Sequence, residues 1–191
     1  FLATTFLLPI FVILFMVHAN SYSLKTGALN ASSLDEYLNQ QKGEHSANSY
    51  LCLYFDTSSG FIIPEELGKL FYNFWKGYFK KAVLFHPYAN FFVLAVDNPD
   101  NETIRNSATH LIEEKFLHYF TEYQIPYKIV SLDHLNFCNT LEELHDVFDY
   151  FASSLPVNSY AFYDSDDYAN YLDTQYVLSE LKDIQEHGTL D

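Results

Sequence analysis

The chain has 191 residues, 18% of them aromatic, and a formal net charge of -15. This length and the abundance of aromatic and aliphatic residues exclude a wholly disordered chain and predict one folded domain with appendages. The acidic balance excludes a nucleic-acid partner, because phosphate binding requires a basic surface.

Residues 1–19 contain no Asp, Glu, Lys or Arg, and Val17 and Ala19 are placed like the small residues before a signal-peptidase cut. They predict a signal peptide cleaved after Ala19, with an uncleaved signal anchor as the alternative. Residues 20–31 form a polar linker. Glycosylation sequons at Asn30 and Asn101 favour a glycoprotein of the secretory pathway, in the endoplasmic reticulum lumen or outside the cell, with no membrane span after cleavage.

Several segments in the first half have recognisable patterns. The capping-box spacing from Ser33 to Glu36 opens a short helix. Residues 48–56 are nearly all apolar or aromatic, which is typical of a central strand covered on both faces. A helix with a wide apolar stripe follows Pro64. Residues 82–97 contain two apolar runs, which give either a hairpin or a loop leading into one strand.

The second half of the chain also contains helical and strand patterns in succession. A long helical face runs from Asn101 to Tyr123, Pro126 stands before the strand 127–132, and a second capping box at Thr140–Glu143 opens a helix. This order predicts an α/β domain over residues 32–152 with helices on both sheet faces. Residues 153–191 are expected to form an acidic helical extension, whose tyrosines either pack on the domain or form a binding surface.

Four quoted segments carry a resemblance to a known family: YQIPYKIVSL, FFVLAVDNPDN, SYLCLYFD and TLEELHDVFDYF. Together they resemble the thioredoxin-like superfamily. The resemblance implies a three-layer α/β/α sandwich and a cis Ile125-Pro126 peptide bond. Redox members carry two cysteines after the central strand, whereas residues 57–64 contain none, so thiol-disulfide exchange is not expected. The resemblance therefore implies a redox-inactive member that is not an enzyme.

A protein or peptide partner, bound as by a chaperone or complex subunit, is the expected ligand of such a domain. The expected contact surface flanks the proline and comprises Ile125, Pro126, Thr57, Ser58, Ser59 and Phe61. No cofactor is expected. Cys52 and Cys138 form either one disulfide or two buried free thiols.

Two alternative functions follow from other clusters. An acidic lumenal protein could associate weakly with calcium through Asp164, Asp166, Asp167 and Asp173. Their spacing is not that of an EF-hand, and helix capping with solvation is the favoured explanation of these residues. A metal-dependent hydrolase could use His110, Glu114 and His118, which lie four residues apart on one helical face.

Overall fold

The computed structural model describes residues 28–41, 48–58, 60, 65–79, 81–97, 101–110 and 125–187. Five helices and five strands lie along these ranges. In chain order they are α1 (Ala31–Gln40), β1 (Ser49–Phe55), α2 (Glu65–Tyr78), β2 (Val83–Tyr88), β3 (Phe91–Val96), α3 (Asn101–His110), β4 (Tyr127–Leu132), α4 (Leu141–Ser153), β5 (Ser159–Tyr163) and α5 (Ser165–His187).

The strands form one mixed sheet in the order β2-β3-β1-β4-β5. Strand β1 lies at the centre and pairs antiparallel with both β3 and β4, while β4 and β5 are parallel. The apolar run 48–56 is thus the central strand that the sequence predicted, because both of its faces are covered. Of the two interpretations of residues 82–97, the hairpin β2–β3 is confirmed.

Pro126 stands at the entrance to β4, where its missing N–H interrupts no ladder bond. Its carbonyl oxygen instead accepts a hydrogen bond from the Asp56 amide at 2.8 Å, which extends the pairing of β1 and β4 by one step. No cis peptide bond occurs among the described residues. The expected cis Ile125-Pro126 bond is therefore wrong.

Strand β5 lies within the segment predicted to be a helical extension. It joins the sheet at the edge of β4, so the predicted boundary at residue 152 missed one strand of the domain. Asn158 starts this pairing: its side chain accepts from the Tyr127 amide at 3.2 Å, and its amide donates to the Tyr127 carbonyl at 2.8 Å. Its φ of 60° is in the left-handed region, which asparagine tolerates better than most residues.

The helix starts follow the usual capping chemistry, with one shift from the prediction. Helix α1 is capped by Asn30, whose side chain accepts from the Ser33 amide, rather than by Ser33 itself. Helix α4 has the predicted capping box, in which Thr140 accepts from the Glu143 amide and Glu143 accepts from the Thr140 amide. The prediction for α4 is confirmed.

Apolar side chains fill both sides of the sheet. On one side, β-strand residues pack with α1, α4 and α5 around Tyr50, Val130 and Phe148. On the other, Leu53, Phe92 and Ile129 pack with Phe71 of α2. The prediction of an α/β domain is therefore confirmed. The predicted signal peptide and most of the predicted linker lie outside the described residues. Within the described ranges, no helix has the length and apolarity needed to span a bilayer.

Candidate functional site

A cleft of about 520 Å³ opens at the end of the sheet where β1 ends, β4 begins and the β2–β3 hairpin turns. Its walls come from these strand ends and from α4. The lining residues are Tyr54, Asp56, Ser58, Pro126, Tyr127, Lys128, His145, Phe148, Asp149, Ala152, Ser153 and Val157. This volume is in the range of small-molecule sites, which run from about 300 to 1,000 Å³.

Backbone pairing on both sides of β1 positions Asp56 at the mouth of the cleft. The Phe55 amide donates to the Asn90 carbonyl at 2.9 Å, and the Asn90 side chain returns a bond to the Phe55 carbonyl at 3.2 Å. Hydrogen bonds from the side chain and the amide of Ser58 lower the pKa of the Asp56 carboxyl, with a smaller contribution from the Lys128 charge. Asp56 therefore presents an ionised carboxylate to solvent.

Lys128 supplies the positive charge of the cleft. Its Nζ donates at 2.6 Å to the Ala152 carbonyl in the last turn of α4, which also accepts from the Leu155 amide. A lysine ammonium has three donors. Two of them are left to contact a ligand in the cleft.

His145 joins α4 to the hairpin. Its Nδ1 lies 3.2 Å from the Asp149 carboxylate one turn further along α4. Its ring stands edge-on to Tyr88 and Phe91, with centroid separations of 5.7 and 5.2 Å. A ligand beside His145 would therefore touch a residue that also contacts the tip of the hairpin.

Aromatic rings form the apolar part of the wall. The rings of Tyr54 and Phe148 are tilted, with centroids 5.9 Å apart. Burial raises the pKa of the Tyr54 and Tyr127 phenols. Both hydroxyls therefore stay protonated and can donate hydrogen bonds.

These groups suit a ligand that combines a planar polar ring with an anionic part. The aromatic rings offer stacking surface, and the two carboxylates of Asp56 and Asp149 accept hydrogen bonds from N–H groups on the edge of a ring. Lys128 and His145 can donate to phosphate oxygens. A purine nucleotide carries all of these features.

The structure brings only part of the predicted contact surface together. Pro126 and Ser58 line the cleft, whereas Ile125 is buried in the core. The Thr57 carbonyl accepts from the Gly60 amide. Ser59 and Phe61 lie outside the described residues. Partner binding through this set stays a prediction.

Cys52 and Cys138 are both buried free thiols in the structure. Desolvation raises the pKa of both, that of Cys138 to about 12. A disulfide between them stays a prediction.

The predicted metal ligands do not converge in the part of the chain that the structure describes, where no group of three His, Cys, Asp or Glu side chains could hold an ion. Asp164 and Asp167 accept hydrogen bonds from the Asp166 and Asp164 amides respectively, so they act at the start of α5; Asp173 lies further along that helix. Glu114 and His118 fall outside the described residues, and the His110 ring packs near Phe74.

The two sequons have different positions. Asn30 uses its side chain as the cap of α1, and Asn101 is the first residue of α3. Glycosylation at either residue stays a prediction.

Of the twelve residues that line the cleft, only Ser58 and Pro126 were predicted from the sequence as contact residues. The missed residues with functional groups include Tyr54, Asp56, Lys128, His145 and Asp149. The sequence pattern could have singled out Lys128 as a functional residue, because it is the one charged residue in an otherwise buried strand. The i, i+4 pair of His145 and Asp149 on the outer side of α4 is another such signal. Neither signal shows that these residues share a cleft, since that depends on the pairing of β1 with β4.

No known protein-family profile matches the sequence, and no curated protein matches it significantly. Solved structures do match. The S helix-GGDEF-EAL region of LapD from Vibrio cholerae, bound to c-di-GMP, aligns with a TM-score of 0.58 and 13% identity over 84% of this chain and 41% of that chain. This chain therefore spans less than half of that protein's length.

Two further matches span nearly the whole of the other chain. The coiled coil and GGDEF domain of DgcB from Caulobacter crescentus, in complex with c-di-GMP, gives a TM-score of 0.60 at 10% identity and covers 84% of this chain and 95% of that chain. A diguanylate cyclase/phosphodiesterase from Caldicellulosiruptor saccharolyticus gives 0.55 at 14% identity, over 78% and 96%.

These matches correct the interpretation of the sequence. The thioredoxin-like resemblance is wrong, and with it the redox-inactive secretory protein and its calcium-binding and hydrolase alternatives, because the matched structures are bacterial GGDEF domains. The expected location in the endoplasmic reticulum or outside the cell is contradicted by the same matches. The expectation of a non-enzyme is also contradicted, since this fold includes diguanylate cyclase SiaD from Pseudomonas aeruginosa, solved with its activator SiaC.

The sequence Gly-Gly-Asp-Glu-Phe, which the letters GGDEF spell in one-letter code, does not occur in this chain. The turn of the β2–β3 hairpin has Ala89 and Asn90, flanked by Tyr88 and Phe91. In its strands and helices, nevertheless, the chain has the fold of a GGDEF domain.

Proposed function

We propose that this chain is a signalling domain that binds a guanine nucleotide, in linear or cyclic form, in the cleft between β1, β4 and α4. The observation that carries the proposal is the cleft itself, which combines ring-stacking, carboxylate and cationic groups in a fold with solved examples bound to c-di-GMP. A planar base and a phosphate are the two chemical features that such a lining can recognise together.

The carboxylates give the preference for guanine. Guanine carries neighbouring N1–H and N2–H donors, which a carboxylate can accept together, whereas adenine presents a ring acceptor at N1. Asp56 is ionised and half-buried at the end of β1, and Asp149 lines the same cleft from α4. An adenine in the same place would leave its N1 lone pair facing a negative charge.

The phosphate end of the ligand would lie at Lys128. The Lys128 ammonium is held by the Ala152 carbonyl, so its position is fixed before a ligand arrives. A fixed donor loses little side-chain entropy when it binds, which favours affinity. The net charge of -15 argues against a nucleic-acid chain, but one or two phosphates need only a local donor.

The test is calorimetric titration of the chain with c-di-GMP and GTP, using c-di-AMP and ATP as matched ligands with the other base. We expect binding of a guanine ligand and at least about tenfold weaker binding of its adenine counterpart, a difference of about 1.4 kcal/mol. Absence of binding to both guanine ligands would overturn the proposal. Conversion of GTP is measured in parallel, because the fold includes diguanylate cyclases.

Two variants locate the site. Asp149→Asn keeps the shape of the side chain but removes the charge, and we expect it to weaken guanine binding and reduce the preference over adenine. Asp166→Asn makes the same change at the exposed start of α5, away from the cleft, and we expect no change. Equal effects of the two variants would place the ligand elsewhere.

A further inference from the structure

The C-terminal half of α5 is exposed on every side. Each residue from 175 to 182 is exposed, although this stretch includes four large apolar side chains. Tyr176, Val177, Leu178 and Leu181 are exposed by 66%, 54%, 53% and 56% of their surface. A contiguous patch of this kind on a soluble domain is a signature of an interaction surface.

The N-terminal half of the same helix is anchored. Tyr168 and Tyr171 are buried, and their rings pack against Phe137 and Phe151. The Tyr168 hydroxyl also donates to the carbonyls of Asp133 and Tyr163, at 2.9 and 3.1 Å. The anchored half therefore fixes the direction in which the exposed half projects from the domain.

Helical geometry places Val177 and Leu181 opposite the anchoring side. At 100° per residue, Val177, Leu181 and the half-buried Ile184 lie within about 60° of one another, and Tyr168 and Tyr171 lie roughly on the other side of the helix. The exposed side chains of Val177 and Leu181 therefore face away from the anchoring contacts. About a dozen residues of helix are marginally stable in water without packing. The exposed half of α5 needs a partner for its apolar face.

We propose that this partner is α5 of a second copy of the chain, and that the two helices pair in parallel as a short coiled coil. Val177, Leu181 and Ile184 follow one another at steps of four and three residues, which is the spacing of a coiled-coil seam. The proposal goes beyond nucleotide binding and does not rest on it.

The charges beside the seam favour a second copy in the parallel direction. In a parallel pair, Glu180 faces Gln185 of the partner subunit, whose amide can donate to the carboxylate. Asp173 faces the partner subunit's Leu178. Antiparallel pairing would instead set Glu180 against Glu180 of the partner subunit, which is repulsive. The seam thus avoids like-charge contacts although the chain as a whole is strongly acidic.

The first test is sedimentation of the whole chain over a range of concentrations. The seam is less than two heptads long, so we expect a concentration-dependent equilibrium between monomer and dimer rather than a permanent dimer. Leu181→Glu places a charge in the seam and is expected to weaken dimerisation at least about tenfold. Ser179→Glu adds the same charge on the opposite face of the same helix and is expected to leave the equilibrium unchanged.

A monomer at every concentration up to hundreds of micromolar would overturn the proposal, and so would equal effects of the two glutamate variants. Circular dichroism of both variants checks that the helix and the domain remain folded. The direction in which the two α5 helices pair is tested with the variant Ile184→Cys under mild oxidation. Parallel pairing predicts a covalent dimer joined at residue 184, whereas a dimer that does not cross-link there would contradict the parallel arrangement.

Discussion

The ammonium group of Lys128 in β4 donates to the carbonyl oxygen of Ala152 in the last turn of α4, at 2.6 Å. This carbonyl also accepts a hydrogen bond from the Leu155 amide at 3.2 Å, so the strand residue adds a second donor to it. The positive charge lies at the negative end of the helix dipole. The bond from Lys128 to Ala152 fixes the position of the lysine that lines the cleft. Lys128 therefore contributes to stability as well as to the proposed ligand contact.

We expect Lys128→Met to lower the free energy of unfolding by about 1 to 2 kcal/mol, because a charge-assisted hydrogen bond and a favourable dipole contact are both lost. Urea denaturation measures the change. The matched control is Lys81→Met, which breaks an exposed ion pair with Asp97 at 3.2 Å and should change stability by less than about 1 kcal/mol. Equal losses in the two variants would show that the Ala152 contact contributes nothing particular.

Asp133 is fully buried, and its Oδ2 has no hydrogen-bond partner among the described residues, although Oδ1 accepts from the Ser131 hydroxyl at 2.8 Å. Desolvation raises the pKa of the Asp133 carboxyl in the folded state. The folded state therefore holds the proton more tightly than the unfolded state, whose Asp pKa is about 3.9. The protonated Asp133 carboxyl therefore contributes its full stabilisation below pH 3.9. This stabilisation is lost as the pH rises through the folded-state pKa.

The prediction is tested with Asp133→Asn, which keeps the acceptor for Ser131 but cannot ionise. The difference in unfolding free energy, wild type minus variant, should fall as the pH rises above about 4, by up to about 1.4 kcal/mol per pH unit. Urea denaturation at a series of pH values gives the two curves. Parallel curves from pH 3 to pH 8 would mean that Asp133 has an ordinary pKa.

Cys52 and Cys138 should not react with a chromogenic thiol reagent at pH 8 while the chain is folded. Both are buried, and the raised pKa of each thiol leaves little thiolate, which is the reactive form. In urea without reductant, two thiols per chain should react. No reaction in urea would instead establish the disulfide that the sequence left open.

Asn158 has a φ of 60° and exchanges two hydrogen bonds with Tyr127 at the start of β5. Asn158→Ala should cost about 2 kcal/mol of stability, because alanine disfavours this backbone conformation and cannot accept from the Tyr127 amide. Asn158→Asp keeps the acceptor and should cost less. A thermal melt of both variants checks the order, and an alanine variant as stable as the aspartate variant would contradict it.

Local features of the fold were predictable from the sequence. The apolar run of β1, the Thr140–Glu143 capping box and the position of Pro126 each depend on neighbouring residues, and each has the predicted place in the structure. The order of the strands was not predictable, because the same succession of helices and strands fits more than one sheet topology. The thioredoxin-like resemblance was wrong about the topology of the sheet.

The candidate site was predictable only in part, for the same reason. Pro126 and Ser58 were named for a groove expected beside a cis proline; both line the cleft, although the peptide bond is not cis. Lys128 and Asp149 lie on different elements, and only the packing of α4 on the sheet brings them together. Strand β5 was missed because its short aromatic run lies within an acidic segment that otherwise has a helical pattern.

The most direct test of nucleotide binding in this cleft is a crystal structure of the chain grown with c-di-GMP. The account predicts density for a guanine base beside Tyr54 and Phe148, its N–H edge toward a carboxylate and a phosphate oxygen within hydrogen-bond distance of Lys128 Nζ. Ligand density confined to another surface, or an empty cleft at a ligand concentration that saturates binding in solution, would contradict it.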